Sequence, residues 1–405
     1  MNRFRRLALH LLRVLRDGWL IVGITIAFML AFELLYRAES ATRLALARTW
    51  NPQIAEPPNP FDTTTWAADY KHDDSLETRL RWKPYVYLRN PTFAGRAISV
   101  DAEGHRHTPW SAHEGERPIE LFFFGGSTAF GWYQRDGFTI PSEIARRLAE
   151  RNVRVTNFGV PGFVFTQELI ELQTQLRAGR RPDVVVFDDG VNDVFATLQD
   201  GIAGVPENEA NRAADFAAGR ARAADSVPGV RADLRVAGRA LLSLADRLLL
   251  LKRLRRLNAP VIAPRISVDS ATRSIVRVYA ENARIAESLA STYGFTAIYV
   301  WQPSLLSSRK KRTTREAWLA DSFADTTFSR EYRDIMRAVP AGLKAQISSV
   351  APGRFLDLSD LFHDEAGDVY IDVYGHTYES ANPRIVESML PELTRAVQGA
   401  AARPR

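Results

Sequence analysis

Acyl transfer needs a nucleophilic oxygen, a base to take its proton, and donors aimed at the oxygen that becomes charged. The chain has candidates for each. Ser127 follows an apolar run and two glycines and can supply the oxygen. His376 can supply the base, with Asp372 four residues before it as a carboxylate to hold its ring. The backbone N–H groups of Ser127 and Gly162 and the side-chain amide of Asn192 can supply three donors for an oxyanion hole. Glycine at 162 lets a substrate come close to the backbone. Singly, each residue has a plainer reading. Gly-Gly-Ser after a strand is commonly a turn with a serine helix cap. Asn-Asp is a common helix start, and a lone histidine is commonly just a hydrogen-bonded one. Together, and in this order, the residues say more.

Such a set works only if a scaffold brings distant positions to one edge. From residue 118 a rhythm of that kind begins. The strand IELFFFGGS (119–127) is followed by helical spacing over 138–151. VRVTNFGVPG (153–162) precedes a helix over 166–178, and DVVVFDDGVND (183–193) is again strand then turn. Continuous apolar strands alternating with helices predict a mostly parallel sheet covered on both faces. Sites in such sheets form outside the carboxyl ends of the strands. Three strand ends finish at Ser127, at Gly162 and at Asn192-Asp193. The rhythm breaks over 196–267, rich in Ala and Arg, and resumes with a helix over 270–293 that Gly294 stops. Strand FTAIYVWQP (295–303), a polar basic loop, a helix over 328–348, strand RFLDLSDLF (354–362), the segment YIDVYGH (370–376) and a last helix over 383–398 complete the chain. No internal repeat is present.

The order Ser–Gly–Asn–His in these contexts resembles the SGNH (GDSL-like) hydrolase family. FFGGST (123–128) is similar to its nucleophile block, with GGS where GDS is usual. NFGVPG (157–162) and GVND (190–193) resemble its glycine and asparagine blocks. HTYESAN (376–382) resembles its histidine block, in which an asparagine six residues on is common, as Asn382 is here. The resemblance covers roughly 118–395. It implies a three-layer α/β/α sandwich, flavodoxin-like in its sheet, and serine-ester chemistry without metal or cofactor. Ser127 would be the nucleophile, His376 the base, and Ser127, Gly162 and Asn192 the oxyanion hole. The family usually places its acid three residues before the histidine, where this chain has Val373. Asp372 lies one residue further back, and a bulge at Gly375 would restore the geometry. Asp368 is a weaker substitute. The G-x-S-x-G elbow of α/β-hydrolases is absent, because Ala129 stands where its second glycine would be.

The chain has 405 residues, 46% of them hydrophobic and 25% charged, enough for one large domain or two modest ones. With no cysteine, disulfides and thiolate chemistry are excluded. Of the net charge of +6, +4 falls within residues 1–37, so the rest carries no electrostatic footprint for nucleic acid. Arginines precede an apolar stretch that begins at residue 18. This predicts a basic cytoplasmic segment (1–17) and a spanning anchor (18–37) that holds the body outside the cytoplasm at the inner membrane. A cleaved signal peptide is the alternative. A Pro-rich linker and lead-in (38–79), a short β-rich lead-in (80–117), the hydrolase-like domain (118–398) with its helical insertion (196–267), and a tail (399–405) follow. In the insertion, the leucine-rich stretch 241–257 reads first as a helix packed on the domain and second as a lid or membrane-surface helix. Arg309-Lys310-Lys311-Arg312 reads as a solvated loop. Asp188-Asp189 read as loop polar groups and Asp193 as a cap, rather than as metal ligands.

These readings predict a membrane-anchored serine esterase or O-acyl hydrolase. Its substrates would be acyl esters, acetyl above all, on envelope or secreted polysaccharide. Location and the family resemblance alone suggest that substrate. An O-acyltransferase with the same residues, and a non-catalytic carbohydrate-binding protein of this fold, are the alternatives.

Overall fold

The computed structural model describes residues 2–50, 56–77, 80–110, 113, 115–213, 216, 266–324 and 327–403. The chain divides into two units, Met1–Glu56 with Asp215–Val261, and Pro57–Ala214 with Ile262–Arg405.

The first unit contains one long helix, α1 (Asn2–Trp50). Its stretch Arg16–Glu39 has 24 residues of mean hydropathy 2.1, long and apolar enough to cross a membrane, a profile that a signal sequence shares. The helix does not end at residue 37. It runs on to Trp50, so the expected linker begins as helix. The leucine-rich stretch 241–257 lies outside the described residues.

In the second unit, residues 57–77 are not a spacer. A short 3₁₀ turn at Pro60–Thr63, capped by the Asn59 side chain, leads to α2 (Ala67–Glu77). Phe61 and Tyr70 are buried with Phe130, Ile371 and Tyr378. Two small hairpins follow, β1 (Arg81–Lys83) with β2 (Tyr87–Arg89), and β3 (Phe93–Ala94) with β4 (Ser99–Val100). They match the expected β-rich lead-in.

The central sheet contains β5 (Ile119–Gly125), β6 (Val153–Asn157), β7 (Val184–Asp189), β8 (Thr296–Trp301) and β9 (Phe355–Asp357). All pairings are parallel, in the order β6-β5-β7-β8-β9. Between the strands run α3 (Ser127–Phe130), α4 (Ile140–Arg147), α5 (Phe165–Arg177), α6 (Val191–Asp200), α7 (Val268–Tyr293), α8 (Thr314–Ala324), α9 (Thr327–Val350) and α10 (Asn382–Ala401). Helices α5, α6, α7 and α9 pack together as one layer, and α4 and α10 as the other. This is the predicted three-layer α/β/α sandwich.

Register explains the core. Phe124, Phe187 and Tyr299 are neighbours across β5, β7 and β8, so their rings share one face. They stack at 5.5 and 5.8 Å between centroids, and Phe165 of α5 tilts onto Phe187 at 4.7 Å. Central strands buried on both faces need apolar residues at every position, which is why they read as unbroken runs.

Three expectations are corrected. The last strand covers only 355–357, because the chain turns at once through a bond from the Leu361 N–H to the Leu358 carbonyl. The basic loop is not solvated throughout. It carries α8, and Lys310 is fully buried against Glu316 (2.6 Å). Asp188 and Asp189 are not loop residues but the buried end of β7.

Candidate active site

Numbered along the chain, the five sheet strands lie in the order 2-1-3-4-5. The chain path reverses direction between β5 and β7, and such a reversal opens a crevice at the carboxyl ends of the flanking strands. Ser127 follows β5 there, and Asn192 follows β7.

Ser127 is the first residue of α3, and its carbonyl accepts from the N–H groups of Gly131 (2.9 Å) and Trp132 (3.1 Å). That tight turn exposes the side chain at the strand end. Its Oγ lies 2.7 Å from His376 Nε2. On the ring's other side, Nδ1 lies 2.5 Å from Asp372 Oδ2. Since the carboxylate can only accept, Nδ1 carries the proton, and Nε2 is left to accept from the Ser127 hydroxyl.

The one-residue shift of the acid is absorbed locally. Asp372 Oδ1 accepts from the Tyr374 N–H (2.9 Å) and the His376 N–H (3.4 Å), which wraps the chain around the carboxylate. Gly375 completes the turn at φ +90°, in the left-handed region. Where the sequence predicts a bulge at Gly375, the chain forms a turn. His376 is 3% exposed, and Trp132 and Tyr133 lie 5.1 and 5.8 Å from its ring centroid. Burial and the nearby Asp372 charge push the Tyr133 phenol up to about 12.

Asn192 Nδ2 donates to the Phe163 carbonyl (2.8 Å) and keeps its second N–H. A Cβ at Gly126 would lie 2.0 Å from the same nitrogen, so a side chain at 126 would require Asn192 to move. Asn192 thus lies beside Gly126, which precedes Ser127, and beside Phe163, which follows Gly162. Gly162 itself is left-handed at φ +82°.

Several positioning residues, Asn382 of the histidine block apart, carry no sequence signal. Gln134 donates to the Thr377 carbonyl (3.0 Å) and accepts from Asn382 (2.9 Å), which also donates to the Phe138 carbonyl (2.6 Å). Arg135 pairs with Glu379 at 2.8 Å. These bonds latch the serine block to the histidine block. Buried Arg106 holds the serine side of that latch, through Asp136 (2.7 Å) and the carbonyls of Gln134 (2.6 Å), Gly131 (3.2 Å) and Phe130 (3.3 Å). Glu316 holds the histidine side, accepting from the N–H groups of Val369 (3.0 Å) and Tyr370 (3.3 Å).

Behind the oxyanion side lies a buried carboxyl group of a different kind. Glu168 of α5 faces Asp189 and Asp193, and burial raises all three well above the carboxylate range, each worsened by or coupled to the others. Asp193 accepts from the Phe165 N–H (3.3 Å), and Asp189 from the Tyr279 hydroxyl (3.2 Å). Asp188 is pushed up to about 7 by burial alone, against a hydrogen bond from Gln302. Among the described residues no group of three His, Asp or Glu is arranged to hold a metal ion. His363 and Asp368 lie apart from the Ser127–His376 pair: His363 bonds the Asp360 carbonyl (3.0 Å), and Asp368 accepts from Thr313.

No protein-family profile and no curated protein matches the chain. Solved structures do. An acetylxylan esterase from Geobacillus stearothermophilus is 12% identical, covering 71% of this chain and 97% of its own, with a TM-score of 0.35. A lipolytic protein of the G-D-S-L family from Veillonella parvula is 13% identical, covering 68% and 98%, at 0.34. LAE5, an α/β hydrolase from the metagenome of Lake Arreo, is 13% identical, covering 70% and 96%, at 0.35. Likeness of that strength decides nothing about chemistry, which rests on the side chains described above.

Proposed function

We propose that the protein is a serine ester hydrolase working through an acyl-enzyme on Ser127. The observation that carries the reading is the unbroken path from Ser127 through His376 to Asp372, at 2.7 and 2.5 Å. His376 Nε2 takes the hydroxyl proton as Oγ attacks the ester carbonyl, and the carbonyl electron pair moves onto the oxygen. Asp372 stabilises the imidazolium that forms. The Ser127 and Gly162 N–H groups and the free N–H of Asn192 receive the oxyanion. Collapse expels the alcohol, which takes the proton from His376. A water then repeats the sequence, with His376 as base, and releases the acid.

The finer reading is a membrane-anchored enzyme acting on acyl, chiefly acetyl, esters of envelope or secreted polysaccharide. The anchor is supported by the apolar stretch Arg16–Glu39, with basic residues before it, and the substrate by the family resemblance alone. The test is labelling of the full chain in detergent with a small fluorophosphonate, followed by mapping of the modified peptide. Labelling at Ser127, lost in Ser127→Ala and His376→Ala, is the expected result. A folded protein that stays unlabelled would end the esterase reading.

A further inference from the structure

Next to the oxyanion side, the β1–β2 hairpin holds its aromatic side chains outward. Trp82 is 67% and Tyr85 76% exposed, although rings of this size normally seek cover. The backbone is strained to do it: Tyr85 and Tyr87 have φ of +68° and +67°, in a left-handed region that bulky residues rarely adopt. Strain of this kind persists where something over-determines it, and it concentrates at ligand-binding elements.

The hairpin is rigidly mounted. Val86 is buried against Val160 and Phe163, on either side of Gly162, and its carbonyl accepts from Gln167 (2.7 Å). Tyr87 is stacked on Trp82 at 5.2 Å, with the Arg212 guanidinium 5.0 Å from its ring, so Tyr87 fixes the plane of Trp82. The segment after α6 completes the rim. Glu207 reaches within 3.1 Å of where a Gly162 Cβ would lie, so its carboxylate rests against this glycine. Among the described residues the Glu207 carboxylate has no hydrogen-bond or ion-pair partner. Burial raises its pKa. Nearby Glu209 is engaged by Arg212 (3.2 Å).

We propose that Trp82, Tyr85 and Glu207 form a subsite for the alcohol portion of the ester, a chain of neutral or amine-bearing sugar rings. Flat aromatic faces match the apolar C–H faces of a pyranose, and a carboxylate that lacks donors matches its hydroxyl or ammonium groups. The same carboxylate repels uronate sugars, so the subsite discriminates by charge. The inference rests on the esterase reading only for the identity of the bound portion. The binding itself needs no catalysis.

The test is calorimetric titration of full-length Ser127→Ala protein in detergent with three unesterified oligosaccharides: xylohexaose, a chitosan hexamer and an oligouronate. Saturable binding of xylohexaose or the chitosan oligomer is expected, with none of the uronate. Trp82→Ala with Tyr85→Ala should weaken binding at least about tenfold, the usual cost of removing an interface anchor. Glu207→Gln should admit the uronate. No binding of either favoured oligomer, binding unchanged in the aromatic variant, or uronate bound as well as xylohexaose would each overturn the proposal. Fluorophosphonate labelling of Ser127 in a protein that binds no sugar would sink this subsite alone. Sugar binding without labelling would sink the esterase reading and leave a binding protein.

Discussion

Asp372 and Asp188 lie at the same carboxyl edge of one sheet and are treated in opposite ways. Asp372 sits in a loop, with two backbone N–H groups on one oxygen and His376 on the other. Asp188 sits in a strand, 3% exposed, and among the described residues only the Gln302 side chain donates to its carboxylate (3.1 Å). Donors favour the charged form and burial the neutral form. The first carboxylate is therefore placed to accept from three donors, one of them the imidazole. Burial biases the second towards its neutral form, as it does Glu168, Asp189 and Asp193. Environment, not residue type, assigns the two roles.

The sharpest way to break this contrast is to take the charge from Asp372. Asp372→Asn keeps the shape but presents an amide to His376 Nδ1. If that amide donates, Nδ1 must accept, the proton moves to Nε2, and the ring can no longer receive the Ser127 proton. A comparable change in a serine triad costs about 10⁴ in kcat. Steady-state hydrolysis of p-nitrophenyl acetate should fall by that order, with little change in KM. A loss below about tenfold would mean that Asp372 serves only to shape the loop.

Much of this was readable in the sequence. The strands announced themselves as unbroken apolar runs, and three blocks placed Ser127, Gly162 and Asn192 at their ends, with His376 in a later segment. The one-residue shift that the turn at Gly375 absorbs follows from counting residues. Other features left no trace. Helix α2 has little amphipathic pattern, and its cover comes from Phe61, Trp66 and Tyr70 acting as scattered anchors. Lys310 sits in a run of four basic residues, where solvation is the natural expectation, and only its partner six positions on buries it. Glu168 is legible as one polar residue of an amphipathic helix, and only the fold reveals that it faces inward. The Gln134–Asn382 bond joins positions 248 apart. Such long-range polar contacts have no periodicity to betray them.

Glu316 is a third treatment of a carboxylate, buried like Asp188 but fully partnered. It takes Lys310 (2.6 Å) and the Thr313 N–H (3.2 Å) on one oxygen and the Val369 and Tyr370 N–H groups on the other. Lys310→Met leaves that charge buried without its counterion, which typically costs about 3–5 kcal/mol. Urea unfolding should show the loss. Adding Glu316→Gln should recover part of it, because the amide oxygen can still accept from the backbone. If Lys310→Met unfolds at the wild-type urea concentration, the pair contributes nothing and the segment leading to Asp372 is held by packing alone.

The smallest effect tests the neutral member directly. Asp188 titrates near 7 in the fold, against an ordinary carboxyl value near 4 when the chain is unfolded. Between those limits the folded protein binds more protons than the unfolded one, so stability falls as pH rises. The contribution is intact below about pH 4 and is lost as pH rises through about 7. Asp188→Asn keeps an oxygen for Gln302 and removes the titration. The Tm of this variant should exceed that of the wild type by several degrees at pH 8, and the two should converge towards pH 4. A gap that does not change across this range would mean that Asp188 is ionised in the fold at every pH. The contrast with Asp372 would then collapse to a difference in neighbours.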